Sequence, residues 1–134
     1  MGQRYLMDSN VLIDYIALRL PRTGSDFVEN IFNTDFLISV AVKIEVLGYN
    51  DVPDKMKTME EFVDAATVLP LDDIVTHKTI ELRRLHKKLK LGDAIIAASA
   101  LVHNMTLLSR NLADFKNIEG LSVIDPNNFI KSTL

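Results

Sequence analysis

Residues 91–100, LGDAIIAASA, constrain this chain more than any other segment. Between positions 94 and 102 every residue is small or apolar except Ser99, so a helix here lacks a polar face. Such a helix must be covered on nearly all sides, which places it at the centre of a core. Asp93 stands just before the apolar run, where an N-cap belongs. A carboxylate at the mouth of a buried helix can serve as a cap or as part of a site, and the segment alone does not choose.

The remaining segments supply what covers that helix. Short apolar runs at 5–7, 36–40, 67–69, 106–108 and 121–124 read as buried strands. Between them, helical spacing predicts helices over 11–20, 25–33, 41–49, 55–66 and 72–89. In the last of these, Ile74, Val75, Ile80, Leu82, Leu85 and Leu89 are the expected buried face, and Gly92 is expected to break it before the central helix. Met56, Met59, Phe36 and Tyr49 are expected to pack inside. Pro126 leads into a short C-terminal turn or helix. Strands alternating with helices indicate an α/β fold: a mostly parallel sheet of four to five strands with helices on both faces. No repeat, linker or composition shift divides the chain, so 1–134 is expected to be one domain.

Several functions are excluded by what the chain lacks. It has no Cys, so disulfides and thiolate metal sites are out, and a metal must sit on oxygen or histidine. His77, His86 and His103 have no ligand spacing. No apolar run approaches the roughly 20 residues that span a bilayer. Segment 1–7 carries Arg4 and runs into Asp8, unlike a signal peptide, so a cytoplasmic protein is expected. The net charge of −3 argues against a surface coated in positive charge, but six of the fifteen basic residues fall within 77–90 against a single acid, Glu81. That local stripe is a candidate phosphate footprint or a solvated helix face.

In a parallel sheet, ligands bind beyond the carboxyl ends of the strands. Asp8 directly follows the first strand. Glu45 lies in the helix after the second. Asp93 opens a helix whose start returns to the same edge, and Ser109, Arg110, Asn111 and Asp114 follow the fourth strand. Four carboxylates are thus expected on one edge, with Asp14 either at the surface or supporting them from behind. Like charges held together are costly, and a divalent cation is the usual resolution. Oxygen ligands favour Mg²⁺ or Mn²⁺, held mainly by Asp8 and Asp93. Without a glycine-rich phosphate loop, such a site points to phosphodiester hydrolysis.

Four segments carry a resemblance: LMDSNVLID (6–14), SVAVKIE (39–45), LGDAIIAASA (91–100) and LLSRNLADF (107–115). In that order they resemble the motifs of the PIN domain, and within it the short single-domain VapC-type toxins. The resemblance spans nearly the whole chain. It implies a Mg²⁺- or Mn²⁺-dependent endoribonuclease whose acidic residues match Asp8, Glu45, Asp93 and Asp114. Asn10, Ser109 and Asn111 match the positions that support them by hydrogen bonding. One departure is Gly92, where many members have Pro.

The resemblance also implies partners: an RNA substrate, an antitoxin laid along the active-site groove, and a second copy of the chain. Large apolar residues in 11–20 and 28–36 exceed what a small sheet needs, which agrees with some partner surface. Arg84 and Lys87 are the candidate RNA-backbone contacts. Two further readings stand beside the toxin: a catalytically silent PIN-like module binding RNA or protein, and a housekeeping nuclease of the same family. A phospho-acceptor receiver domain would need paired acids after the first strand, where only Asp8 stands.

Overall fold

The computed structural model describes residues 3–129. Five strands form one sheet: β1 (Tyr5–Met7), β2 (Leu37–Ser39), β3 (Thr67–Leu69), β4 (Thr106–Leu108) and β5 (Val123–Ile124). Their order is β3–β2–β1–β4–β5, and every neighbouring pair is parallel. Leu6 of β1 aligns with Leu37 on one side and Leu107 on the other. These central strands are buried on both faces, so they read as unbroken apolar runs rather than alternating ones.

Among the described residues there are seven helices: α1 (Ser9–Ile16), α2 (Arg22–Thr34), α3 (Val40–Leu47), α4 (Pro53–Ala65), α5 (Asp73–Leu85), α6 (Leu91–Val102) and α7 (Leu112–Phe115). The path β1→β2→β3 steps one way across the sheet, and β3→β4→β5 steps the other. Right-handed crossovers therefore put helices on both faces. The reversal falls between β1 and β4, and a crevice opens there at the carboxyl ends of the strands. Helix α6 packs against α5, α3, β2 and β4. Its Ala94, Ile96, Ala97, Ala98 and Ala100 are wholly buried. The alanines let its backbone approach the sheet, and burying a side chain the size of Ile96 contributes about 1.5–3 kcal/mol. No helix among the described residues is long and apolar enough to cross a membrane.

The structure corrects several sequence expectations. Helix α1 ends at Ile16 rather than near position 20. Leu18 turns left-handed (φ 58°), and Arg19 N donates to Asp14 O at 2.9 Å, a Schellman-type stop in which a leucine takes glycine's usual place. Helix α2 starts at Arg22, not Ser25, and runs through Gly24. Gly24 is buried there against the Pro126 carbonyl, which an added Cβ would strike, so glycine serves close packing.

Helix α5 ends at Leu85, and its phase differs from the expected one. It buries Val75, Thr79 and Leu82, while Ile74, Ile80 and Leu85 are exposed. Thr79 escapes notice as a core residue because its hydroxyl is satisfied within the helix, donating to Val75 O at 2.7 Å. Leu89 is buried, but from the loop that follows.

Gly92 does not break a helix. It is the second residue of α6, whose N-cap is Lys90, and Asp93 lies in the first turn rather than at the cap. Tyr49 is exposed, whereas Phe36 is buried, and Met56 and Met59 are half-buried. Much of the apolar excess in 11–20 and 28–36 is absorbed by an edge-to-face cluster of Tyr15, Phe32, Phe36 and Phe62. Leu18 and Ile13 remain exposed. Pro126–Asn128 forms a 3-10 turn; the first two residues of segment 1–7 lie outside the described residues.

Candidate active site

The crevice is built outward from Asp8. It directly follows β1, and its backbone places it at the N-cap of α1, only 4% exposed. One carboxylate oxygen, Oδ1, accepts from Ser9 N at 2.8 Å. The other, Oδ2, accepts from Ser109 Oγ at 2.8 Å and more weakly from Asn10 Nδ2 at 3.4 Å. Burial pushes the Asp8 carboxyl up to about 6; the Ser109 and Ser9 hydrogen bonds oppose this, and the charges of Asp93 and Glu45 add to it.

Two hydrogen-bond chains leave this carboxylate. One passes through Ser9, whose Oγ donates to Glu45 Oε1 at 2.8 Å. The other passes through Ser109, whose Oγ accepts from Asn111 N at 3.0 Å. Asn111 Nδ2 in turn donates to Asp114 Oδ2 at 2.6 Å. Asn10 closes the network. Its Nδ2 reaches Ser109 Oγ at 3.2 Å, and its Oδ1 accepts from Arg110 N at 3.1 Å. Asn10 and Ser109 thus hydrogen-bond to Asp8, and Asn111 to Asp114. Ser9 is a member that sequence reasoning misses; its place beside Asp8 at the strand end is the available signal.

Asp93 makes none of these hydrogen bonds among the described residues. It is coupled through charge: burial, then Asp114 and Glu45, push its carboxyl upward, and Lys90 pulls it down. Gly92 brings the same turn close to Glu45, since an added Cβ would lie 3.5 Å from Glu45 Oε2. Asp8 thus feels the charges of Asp93 and Glu45, and Asp93 those of Asp114 and Glu45, but no three among the described residues form a ready-made metal cage.

The basic stripe divides. Lys78 pairs with Glu81 at 3.2 Å, and Arg83 Nη1 donates to Leu89 O at 2.7 Å, tying down the loop after α5. Lys87, Lys88 and Lys90 line a cleft of about 380 Å³ together with Asp93 and Asp114. Arg84 is exposed on α5 and does not line it. Lys88 and Lys90 belong to the basic stripe that the sequence marks as a candidate phosphate footprint, but helical spacing up to Leu89 does not single them out; the segment is an exposed loop along the cleft. Asp14 is not at the surface: it is 3% exposed and ion-paired with Arg110 at 3.2 Å and Arg19 at 3.8 Å.

An all-parallel α/β domain with an acidic crevice at its switch point, and no phosphate loop, is the frame in which several nuclease families work. Residues 5–121 match the family model of the PIN domain, and the chain belongs to that family. It is 29% identical over 106 residues to Ribonuclease VapC1 from Rickettsia felis, covering 75% of this chain and 76% of that protein. A toxin–antitoxin complex from Klebsiella pneumoniae contains a chain that superposes with a TM-score of 0.73 at 27% identity, over 91% of this chain and 97% of that one. DNA-bound VapBC from Salmonella typhimurium gives a TM-score of 0.78 at 21% identity, over 93% and 99%, a likeness of fold.

Proposed function

We propose that this chain is a divalent-metal-dependent endoribonuclease, the toxin of a toxin–antitoxin pair, hydrolysing RNA phosphodiester bonds in the crevice between β1 and β4. The observation that carries the reading is Asp8: a nearly buried carboxylate held by Ser9 and Ser109 while burial and its acidic neighbours disfavour its charge. An electronegative pocket of that kind fits a cation. Its donors are all oxygen, which suits Mg²⁺ or Mn²⁺. A hard ion of this kind keeps most of its waters and needs one or two protein ligands. Asp8 and Asp93 would hold it directly, with Glu45 and Asp114 acting through water. When bound, the ion supplies Lewis-acid stabilisation of charge on the scissile phosphate and activates a water.

The chain's own residues do the positioning. Ser109 and Asn10 fix the Asp8 carboxylate, Ser9 fixes Glu45, and Asn111 fixes Asp114. Lys87, Lys88 and Lys90 draw the RNA backbone toward Asp93 and Asp114 without reading sequence. The Rickettsia and Klebsiella relatives support a ribonuclease with an antitoxin partner; a homodimer and a cytoplasmic location complete the reading. Asp93→Asn tests it. The variant should bind Mn²⁺ at least tenfold more weakly by calorimetry and lose cleavage of single-stranded RNA. Unchanged Mn²⁺ affinity would remove Asp93 from the metal site. Unchanged cleavage, or none by the unmodified protein with Mn²⁺, would leave a silent or differently acting module. For the partners, light scattering that returns the 15.1 kDa of one chain would remove the dimer.

A further inference from the structure

Asp14 and Arg110 are the strongest pair that the metal site leaves unexplained. Asp14 lies on α1, one turn beyond Asn10, so the two share a helix face. Its carboxylate is 3% exposed, and a buried charge needs partners. It has two, both arginines. The Arg110 Nε lies 3.2 Å from Oδ2, and an Arg19 Nη1 lies 3.8 Å from Oδ1. Asp14 Oδ1 takes no hydrogen bond among the described residues, so ion pairing alone holds it. Two arginines against one carboxylate leave a net positive charge there.

Arg110 is held at both ends. Its backbone N–H donates to Asn10 Oδ1 at 3.1 Å, and its side chain is drawn to Asp14. It follows Ser109, whose hydroxyl donates to Asp8 at 2.8 Å, so its place is set by the same network that sets the carboxylates. Yet its side chain is 53% exposed. The guanidinium meets Asp14 through Nε, which leaves its Nη donors without a partner in that pair, and Arg110 lines a hollow of about 290 Å³ with Asn10 and Asn111. Asn111 also borders the acidic network through Asp114. The hollow therefore borders the acidic network and shares no lining residue with the lysine cleft.

We propose that Arg110 binds a backbone phosphate of the RNA strand on the β4–α1 side of the carboxylates, and that Asp14 is the positioning residue that aims its guanidinium. The proposal rests on the ribonuclease reading. A planar fork fixed at one edge suits a phosphate, which it can grip through two parallel N–H groups. The strand would then be held at two separate places, by Arg110 and by the lysine cleft.

Single-stranded RNA oligonucleotides, with Mn²⁺ for cleavage and by fluorescence anisotropy for binding, provide the test. Arg110→Ala should raise KM about tenfold, with most of the loss in KM and not kcat. It should also flatten the salt dependence of binding by about 0.7 in log–log slope, the value for one phosphate on a single strand. Arg110→Lys should restore the salt slope but only part of the affinity. Asp14→Asn should keep the slope, since Arg110 keeps its charge, yet raise KM several-fold. Because Arg110→Ala leaves a buried carboxylate short of a partner, the double variant Asp14→Asn/Arg110→Ala provides a folded control. An unchanged KM and salt slope in Arg110→Ala and the double variant would overturn the proposal, as would a loss of stability alone. If the unmodified protein binds RNA without cutting it, the ribonuclease reading fails while anisotropy still decides on Arg110. An effect confined to binding of an acidic protein segment would also overturn it.

Discussion

The crevice has two unlike walls. On one side, Asp8, Asn10, Ser109 and Arg110 are tied to one another across about a hundred residues of sequence by hydrogen bonds of 2.8–3.2 Å. On the other side, Lys87, Lys88 and Lys90 lie in the exposed turn between α5 and α6, tethered through the Arg83 bond to Leu89 O. One wall fixes atoms; the other supplies field. Position and charge are thus provided separately. A hydrolytic centre needs its carboxylates placed to a fraction of an ångström, whereas attraction of a polyanion needs only charge nearby.

The largest effect should come from the fixed wall. In the metal-free protein Asp8 titrates near 6, against an ordinary value of 3.8. Between those pH values the folded state binds more protons than the unfolded one, so stability falls as pH rises from about 4 to about 6 and then levels off. A two-unit shift corresponds to about 3 kcal/mol. Asp93, pushed the same way, adds slope of the same sign. Asp8→Asn should flatten most of this profile, and Mg²⁺ should restore stability to the unmodified protein above pH 6 by binding only the folded state. Denaturant midpoints measured against pH, with chelator, provide the check. Parallel profiles for the two proteins would mean that Asp8 carries no such strain.

The second wall should respond more weakly and without regard to geometry. Replacing Lys87 and Lys88 together with Ala should weaken binding of single-stranded RNA about tenfold at moderate salt. The salt slope should flatten by roughly 0.7 for each phosphate left without a cation. Arg84→Ala, outside the cleft, should cost less than twofold. Exchanging either lysine for arginine should leave affinity close to its starting value, unlike any exchange at Arg110. An Arg84 effect as large as that of the lysine pair would erase the distinction between a cleft and a charged surface.

The same contrast explains what is legible in the sequence. The fixed wall is readable because its anchors end strands: Asp8 after TyrLeuMet, Ser109 after ThrLeuLeu, with apolar runs that admit one register. The acidic positions are proposed from that edge, whereas the supporting role of Asn10, Ser109 and Asn111 is what the PIN-domain resemblance implies. The loose wall misleads because a basic, Leu-containing segment up to Leu89 matches helical spacing, whereas the bond from Arg83 to Leu89 O, which ties down the loop that takes its place, leaves no local pattern. Thr79 in the core shifts the phase of α5 for a similar reason, a polar side chain satisfied within its own helix. Asp14 is hidden because its partner Arg110 is 96 residues away, and no local pattern announces a buried ion pair.

The smallest effect lies where the loose wall meets the metal site. Gly92 is the second residue of α6, and glycine there gives up backbone entropy that alanine would not. An added Cβ would sit at ordinary contact distance from Glu45 Oε2, 3.5 Å, with no other side chain but Glu45 near it. Gly92→Ala should therefore fold normally and gain about 0.5 kcal/mol, less than the mid-helix difference of up to about 1 because the position is in the first turn. Gly92→Pro is a different test. Leu91 is already helical, and a following proline pushes its predecessor out of the helical region, so this change should shorten α6 by a residue and move Asp93. If alanine stabilises the protein and keeps Mn²⁺ affinity while proline lowers that affinity, the start of α6 is set by Asp93's position and not by helix stability. Equal Mn²⁺ affinity in both variants would show that the loose wall tolerates a shift of its carboxylate, and the contrast between the two walls would end at the lysines.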